Sequence, residues 1–520
     1  MVTKRKSRMY NEGYFDAVHF FRYFLLDGKA RFTLKVGRQA IVVDGDFPSV
    51  NAKWPQITDK RFDPVSMLGE PDLAFADELT HIDPKVGIPA SGPWSRDQAN
   101  HPASVTAGFI GTAECIDKAR AWLSRAAEGV DGDDDHHPFC GFQLAGPFAS
   151  QLRTNGPEAK ITASEIRDLT ADKLKKLEGF NLLLGLIDDR LAQLASLDAP
   201  PTIVFIALPA DIVKRYGTVH QTKQGVETVW NLRSAIKARA MQHGRRTQLL
   251  RQATIESDLE SHTSDLDHPA DLAWNLFTAM YFKAGGFPWA PVGIPEGTCH
   301  LGVTFFRPHG ERSAMRTSVA QAFAENGDAF VLRGNPFEWE GKWPHLPAEE
   351  ARRLIADVIS RYTQTMKRPP RRLVVHKQSR FFAEELTGFQ DALADYEYDL
   401  VALAPSTGVR LMRHGAYPPP RGACLSVGDR RYLYTTGYVP SLGRYPQGHV
   451  PTPVQITDHV GDSSARALLA EILLMTKMNW NSARFAEKLP VTVRFANEVG
   501  TILRDLPDDY VPEARYAFYM

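Results

Sequence analysis

The sequence predicts an α/β fold made of two successive open-sheet units behind a small N-terminal module. Three observations carry this. From Ser104 onward, short apolar runs of strand length alternate with longer stretches of helical periodicity. A second alternation begins near residue 298, with strands first and helices after. The composition, 43% hydrophobic and 23% charged, is that of an ordinary globular chain and excludes wholesale disorder or a fibrous repeat. At roughly 100–200 residues per domain, 520 residues accommodate two to four domains.

The first 75 residues mix short apolar pieces with Pro, Lys and Asp. Phe15–Leu26 reads as a helix, and Phe32–Val43 alternates like a hairpin or edge strand. This span reads as a docking arm. In the first α/β unit, residues 76–295, Val105–Thr112 is a strand and turn leading into an amphipathic helix over Ile116–Ala127. A long helix over Ala171–Leu197 carries apolar residues at 174, 177, 180, 183, 184 and 187, the spacing of a core face. There follow a strand over Thr202–Leu208, a helix over Thr228–His243, a strand near Gln248–Ala253 and a helix over Ala270–Ala284. Gly285-Gly286 marks the end of that last helix. In the second unit, residues 296–520, strands are expected at His300–Arg307, Asp328–Arg333, Arg372–His376, Asp399–Ala404 and Tyr432–Thr436. Helices are expected at Ala348–Met366, Ala383–Ala394, Ser463–Met478 and Ala496–Asp505, giving a mixed sheet with helices on its faces.

Charge narrows the function. The 61 basic and 61 acidic residues cancel, which argues against a uniformly basic nucleic-acid binder. The cancellation is uneven along the chain. Thr228–Ile255 has no acid and six bases: Arg233, Lys237, Arg239, Arg245, Arg246 and Arg251. Val358–Ala383 has no acid and holds Arg361, Lys367, Arg368, Arg371, Arg372, Lys377 and Arg380, and Leu400–Gly428 holds only Arg410, Arg413 and Arg421. A solvated helix face interleaves both signs, whereas acid-free basic stretches are the footprint of a polyanion site. Two acidic stretches, Glu128–His137 and Glu256–Asp271, read as solvated loops. His136 and His137 beside the aspartates are metal-type residues, but no glycine is placed as a calcium loop requires. The four cysteines, at 115, 140, 299 and 424, share no metal-type spacing and read as reduced, pointing to the cytoplasm. No apolar run reaches the ~18 residues of a membrane span, and the basic N-terminus is not followed by a signal-peptide core.

Particular segments then become recognisable. Met475-Thr-Lys-Met-Asn-Trp-Asn481, Leu489-Pro-Val-Thr-Val493, Leu433-Tyr-Thr-Thr-Gly437, Pro451–Ile456, Arg371–Lys377 and the ending Tyr516–Met520 resemble the PIWI domain of prokaryotic Argonaute proteins. Asp83–Gly87, Gly92-Pro93 and Gly108–Gly111 resemble the MID-containing half of short prokaryotic Argonautes. The resemblance implies a Rossmann-like MID domain followed by an RNase H-like PIWI domain. The length suits those two halves and an added arm.

What the resemblance implies can be placed residue by residue. The pocket for a guide strand's 5′-phosphate maps onto Arg233, Lys237, Gln248 and Lys283, with Arg233 and Lys237 at i and i+4 on one helix. Trp230 with Arg233 is an alternative register. A terminal phosphate needs two or three cations giving charge-assisted hydrogen bonds, and a Mg²⁺ ion held by Gln248 and the Met520 carboxylate completes the set. The nuclease positions of the PIWI half fall on Thr304, Gln378 and Asn479, none acidic, and no acid stands between Thr298 and Gly310. A two-metal nuclease centre needs several carboxylates, so the half is expected to bind without cutting. Glu338 and Glu340 read as surface acids. Arg368, Arg371, Arg372, Lys377 and Arg380 are the candidates for the duplex backbone.

The implied partners are a guide RNA, a complementary target DNA and, in a heterodimer, an APAZ-domain protein fused to a sirtuin-like or TIR NADase or a nuclease, acting in antiphage or antiplasmid defence. Tyr14, Phe15, Phe20, Phe21, Tyr23 and Phe24 are candidates for docking that partner. Two other readings stand beside this one: an active guide-dependent nuclease with acids from elsewhere, and a small-molecule α/β enzyme. For the latter Gly108–Gly111 lacks the full glycine fingerprint.

Overall fold

The computed structural model describes residues 30–36, 39–45 and 65–520, apart from segments 224–225, 261–266, 310–313, 323–329, 340–342, 407–408, 410, 412–416, 428–429 and 446–450. The expected helix Phe15–Leu26, its aromatic cluster, Glu340, Arg410 and Arg413 lie outside the described residues. The chain divides into two units, Met1–Leu68 with Ser406–Pro453, and Gly69–Pro405 with Val454–Met520.

In the smaller unit, Ala30–Val36 and Gln39–Gly45 form the hairpin that the alternation over Phe32–Val43 predicts, with Leu34 opposite Ile41. Ala423–Val427 pairs with Arg430–Leu433 and, on its other side, with Ser66–Met67.

Two large sheets dominate the larger unit, beside a small three-stranded one from Leu73–Ala74, Thr80–His81 and Ala290–Pro291. The first is parallel throughout. Strand β1 (Ser104–Gly111) leads through the Thr112 N-cap into helix α1 (Ala113–Glu128). β2 (Gln151–Arg153) and β3 (Glu158–Lys160) both lie alongside β1. Helix α2 (Lys176–Ala195) buries Phe180, Leu183, Leu184 and Ile187, the face that its periodicity marks. It starts later than Ala171, because a separate short helix, Ala163–Thr170, ends there. β4 (Ile203–Ala207) is fully buried, as a parallel strand covered on both faces must be.

One expected helix is corrected here. Thr228–His243 is not continuous. β5 (Thr218–Lys223) and β6 (Val226–Asn231) form an antiparallel hairpin, and helix α3 spans only Leu232–Gln242. The β-branched run Val226-Glu-Thr-Val229 favours a strand. The Asn231 side chain accepts from Ser234 N at 3.2 Å and starts the helix there. β7 (Thr247–Leu250) then pairs with β4, giving the order β7-β4-β1-β2. Helix α4 (Pro269–Ala284) ends on Gly285 at φ 118°, a left-handed C-cap that suits glycine.

The second sheet runs β10-β9-β8-β11-β12-β13 within this unit, built from β8 (Thr298–Phe306), β9 (Ala314–Ala322), β10 (Val331–Arg333), β11 (Arg372–Lys377), β12 (Glu397–Pro405) and β13 (Val454–Gly461). β8, β11 and β12 are mutually parallel, while β9 and β13 are antiparallel to their neighbours. Helices α5 (Ala348–Met366), α6 (Ala383–Ala392), α7 (Ala465–Met475) and α8 (Val491–Leu503) accompany it. α8 starts before the expected Ala496, because Pro490 sets the N-cap backbone. Gly302 of β8 lets α8 approach: a Cβ there would stand 2.1 Å from Thr492 O. Glu338 lies exposed on a short edge strand beside Ala314. Of three apolar clusters among the described residues, one runs from the first sheet's helices to the last residues of the chain and contains Trp274, Trp289, Trp480, Tyr516, Tyr519 and Met520.

Candidate functional site

Helices α3 and α4 and strand β7 bring Lys237, Lys283 and Gln248 together with the last residues of the chain. The pivot is one carbonyl. Thr247 O accepts from Lys237 Nζ at 3.3 Å and from Lys283 Nζ at 3.1 Å. Lys283 Nζ also donates to Gln248 Oε1 at 2.5 Å, and Lys237 Nζ donates to the main-chain oxygen of Met520. The terminal segment is held by Tyr516, which stacks on Phe495 at 3.7 Å and 11° and donates to Glu498 Oε2 at 3.2 Å.

These lysines are buried, at 4% and 1% exposure. Among the described residues no aspartate or glutamate forms an ion pair with either. Glu498 is the acid that acts on Lys237 through space, and it is bonded to Tyr516 and Arg494. Burial, aided by the Arg233 charge, pushes Lys283 down to about 7. Burial, then Lys283 and Arg233, push Lys237 well below the usual lysine range. Arg233 is exposed and makes no hydrogen bond or ion pair among the described residues. Apart from the Met520 oxygen bonded to Lys237, the partners of these two lysines are neutral carbonyl oxygens, and burying cations among such partners is costly.

The sequence reading did not place Arg246 in this group. Its Nη1 donates to Lys283 O at 2.6 Å, and its guanidinium lies 5.3 Å from the centre of the Phe518 ring. Its Nε has no hydrogen-bond partner. The available signal was its position, directly before β7 in the acid-free stretch. Trp230, the alternative register, stacks on His309 at 3.8 Å on the β5–β6 hairpin and takes no part.

The oxygen atoms expected to hold Mg²⁺, Gln248 Oε1 and the main-chain oxygen of Met520, converge on the two neighbouring ammonium groups. They are hard donors of the class that suits Mg²⁺.

In the second sheet, Val303 pairs with Lys377, so Thr304 and Gln378 are the next residues along two adjacent parallel strands, Gln378 just past the end of β11. Gln378 accepts from Asn497 Nδ2 of α8 at 3.0 Å. Asn479 is elsewhere, in the turn after α7, donating to Ser482 Oγ at 3.2 Å and Glu487 Oε1 at 2.9 Å. The residue that α8 brings to Gln378 is therefore Asn497.

Two of the five duplex candidates need correction. Arg372 is buried and donates to Asp399 Oδ2 at 2.6 Å and Glu471 Oε1 at 2.7 Å. Lys377 is buried and paired with the equally buried Glu385. Both begin or end an interior strand of the sheet, and their charges are consumed inside the fold. Arg371 and Arg380 are exposed, and Arg368 is half-buried beside Glu296.

No protein-family model matches the sequence, and no curated protein matches it. Solved structures do. The chain superposes on Clostridium butyricum Argonaute, solved with a guide DNA and a 19-mer target DNA, with a TM-score of 0.62 and 14% identity over 89% of this chain. Drosophila Piwi gives 0.57 and 15% over 87%, and A. aeolicus Argonaute 0.53 and 12% over 86%. This chain spans 56%, 56% and 54% of those chains. No helix among the described residues is long and apolar enough to cross a membrane. The parallel sheet, the mixed sheet and this likeness over most of the chain together identify an Argonaute-type fold with the α/β architecture of the MID and PIWI domains.

Proposed function

We propose that this chain is a short, nuclease-inactive Argonaute that holds the 5′-phosphorylated end of a guide strand at Lys237, Lys283, Gln248 and Arg233. The observation that carries the reading is the pair of buried lysines sharing the Thr247 carbonyl, with no aspartate or glutamate ion-paired to either among the described residues. A phosphate dianion adds negative charge beside both lysines and accepts charge-assisted hydrogen bonds from them. Arg233, exposed at the rim, meets the strand from solvent. Mg²⁺, with Gln248 and the Met520 oxygen as its ligands, would add further charge neutralisation.

The absence of acids at Thr304, Gln378 and Asn497 supports binding without cutting. Target sequence is then read by base pairing, and Arg371 and Arg380 contact the duplex backbone without reading bases. An RNA guide and a DNA target are the proposed chemistry, in the cytoplasm. Target capture activates an APAZ-effector partner, an NADase or a nuclease, in defence against phage or plasmid.

The test is to purify the chain with its co-purifying nucleic acid, sequence that nucleic acid and determine its 5′ ends. Short strands with 5′-phosphate support the reading, and their absence refutes it. Guide-loaded protein is then given a labelled complementary target with Mg²⁺ or Mn²⁺. A specific cut opposite the guide would establish the alternative, an active nuclease.

A further inference from the structure

The acidic loop after α1 and the N-terminus of α4 place a second set of metal-type side chains together, well removed in character from the phosphate cluster. The His136 and His268 rings stack face to face at 4.3 Å and 5°. Asp133 stands between them and its neighbours: its Oδ1 is 2.7 Å from His136 Nδ1 and accepts the His136 backbone N–H at 2.8 Å. Its other oxygen, Oδ2, lies 3.6 Å from His268 Nε2. The opposite nitrogen of His268, Nδ1, accepts from Ala270 N at 3.2 Å and caps α4. That bond leaves the proton of a neutral His268 on Nε2, facing Asp133, so an ion takes Nε2 by displacing this proton and releasing the cap bond to Nδ1.

One ligand atom from each of Asp133, His136 and His268 lies within 4.8 Å of the other two. We propose that these three residues form a binding site for a divalent transition-metal ion of the zinc class, clamping the acidic loop onto α4. Two imidazoles and one carboxylate suit Zn²⁺ or Co²⁺ and disfavour Mg²⁺ and Ca²⁺, which take oxygen ligands. Ligands at ~2.0–2.2 Å from an ion draw the three atoms together by about 1 Å, and because each imidazole binds an ion in its own ring plane, the stacked rings must also turn out of parallel. Half-exposure of His136 and exposure of Asp133 give the ion a route from solvent. Asp271, 3.8 Å from His136 Nε2, is already paired with Lys85 and is not counted as a ligand. The fourth position is left to water, which makes this an open site.

The test uses the full chain, stripped with chelator and titrated with Co²⁺ and Zn²⁺. Cobalt gives a visible absorption band when bound by nitrogen ligands, and elemental analysis after dialysis against zinc gives the stoichiometry. His268→Asn keeps a side-chain acceptor at the α4 N-cap while removing the imidazole. His136→Gln removes the other. The proposal expects one ion per wild-type chain and at least a tenfold loss of affinity in each variant, with the metal-free melting temperature of His268→Asn unchanged. Wild-type protein that holds no zinc after dialysis, or variants that bind cobalt as tightly as wild type, would overturn it. In that case His136, His268 and Asp133 are only an ion-paired loop anchor. Because the readout is metal content, it is independent of guide binding.

Discussion

Replacing Lys283 by methionine, and following guide affinity against pH, tests the phosphate pocket at its physical root. Burial and then Arg233 hold Lys283 at about 7, against an ordinary 10.5. That difference disfavours the charged form by roughly 5 kcal/mol in the free protein. A bound phosphate dianion gives the ammonium its partner and raises its pKa again. The bound state therefore carries more protons than the free state at any pH above about 7, so affinity falls as pH rises. For one lysine the slope reaches ~10-fold per pH unit, or ~1.4 kcal/mol, between pH 7 and 9. The second ionisation of the phosphate, near ~6, is complete in that window and adds nothing. Lys237, pushed down by the same burial, acts in the same direction. The assay is fluorescence anisotropy with a short 5′-phosphorylated RNA and its 5′-hydroxyl twin, at constant ionic strength. Lys283→Met is expected to weaken binding ~10–100-fold at pH 7, the worth of a charged hydrogen bond, and to flatten the pH profile. The free protein should itself gain stability as pH rises from 7 towards 10.5, because the unfolded chain binds a proton there that the folded one has lost. A pH-independent wild-type affinity for the phosphorylated strand, or an unaffected Lys283→Met, would refute the reasoning.

Three further outcomes are expected. Arg372→Met should lower stability by ~3–5 kcal/mol in thermal or urea melts, because it leaves Asp399 and Glu471 without their shared cation; a change below ~1 kcal/mol would place the pair outside the structural network. On the acid side, Glu471 is opposed by burial but held at about 2 by bonds from His300 and Arg372, and Asp399 lies lower still. Their contribution is present above the unfolded carboxylate pKa of ~4 and is lost as pH falls through 2, so Glu471→Gln should flatten acid unfolding between those values. Arg371→Ala with Arg380→Ala should leave the melting temperature unchanged, weaken target-duplex binding for every sequence alike and reduce the salt slope by ~1–2, which titration at several salt concentrations measures.

The sequence itself carried much of this molecule. The helix over Ala348–Met366 was legible to the residue because its apolar positions repeat every three or four places and Pro347 precedes it. Strand β4 was legible because a short, wholly apolar run has nowhere to go but an interior sheet. The 5′-phosphate candidates could be named because the resemblance to Argonautes supplies a set of residue types in order, and Arg233, Lys237, Gln248 and Lys283 follow that order. The hairpin at Thr218–Asn231 was not, since its β-branched residues adjoin a helix and only the Asn231 cap separates them.

Charge in sequence says nothing of burial, and this is where tertiary structure decided the outcome. Arg371 and Arg372 are neighbours of the same type, yet Arg371 stands just before β11 and is exposed, while Arg372 opens the strand and is buried against an interior pair of carboxylates. Asn479 and Asn497 exchange places because the position facing Gln378 is chosen by the packing of α8 on the sheet. Thr247 gathers Lys237 and Lys283, and Lys237 in turn reaches Met520, 283 residues further along the chain. Sequence named those lysines; only the fold buries them side by side with no aspartate or glutamate paired to either among the described residues, and the proposed phosphate site rests on that.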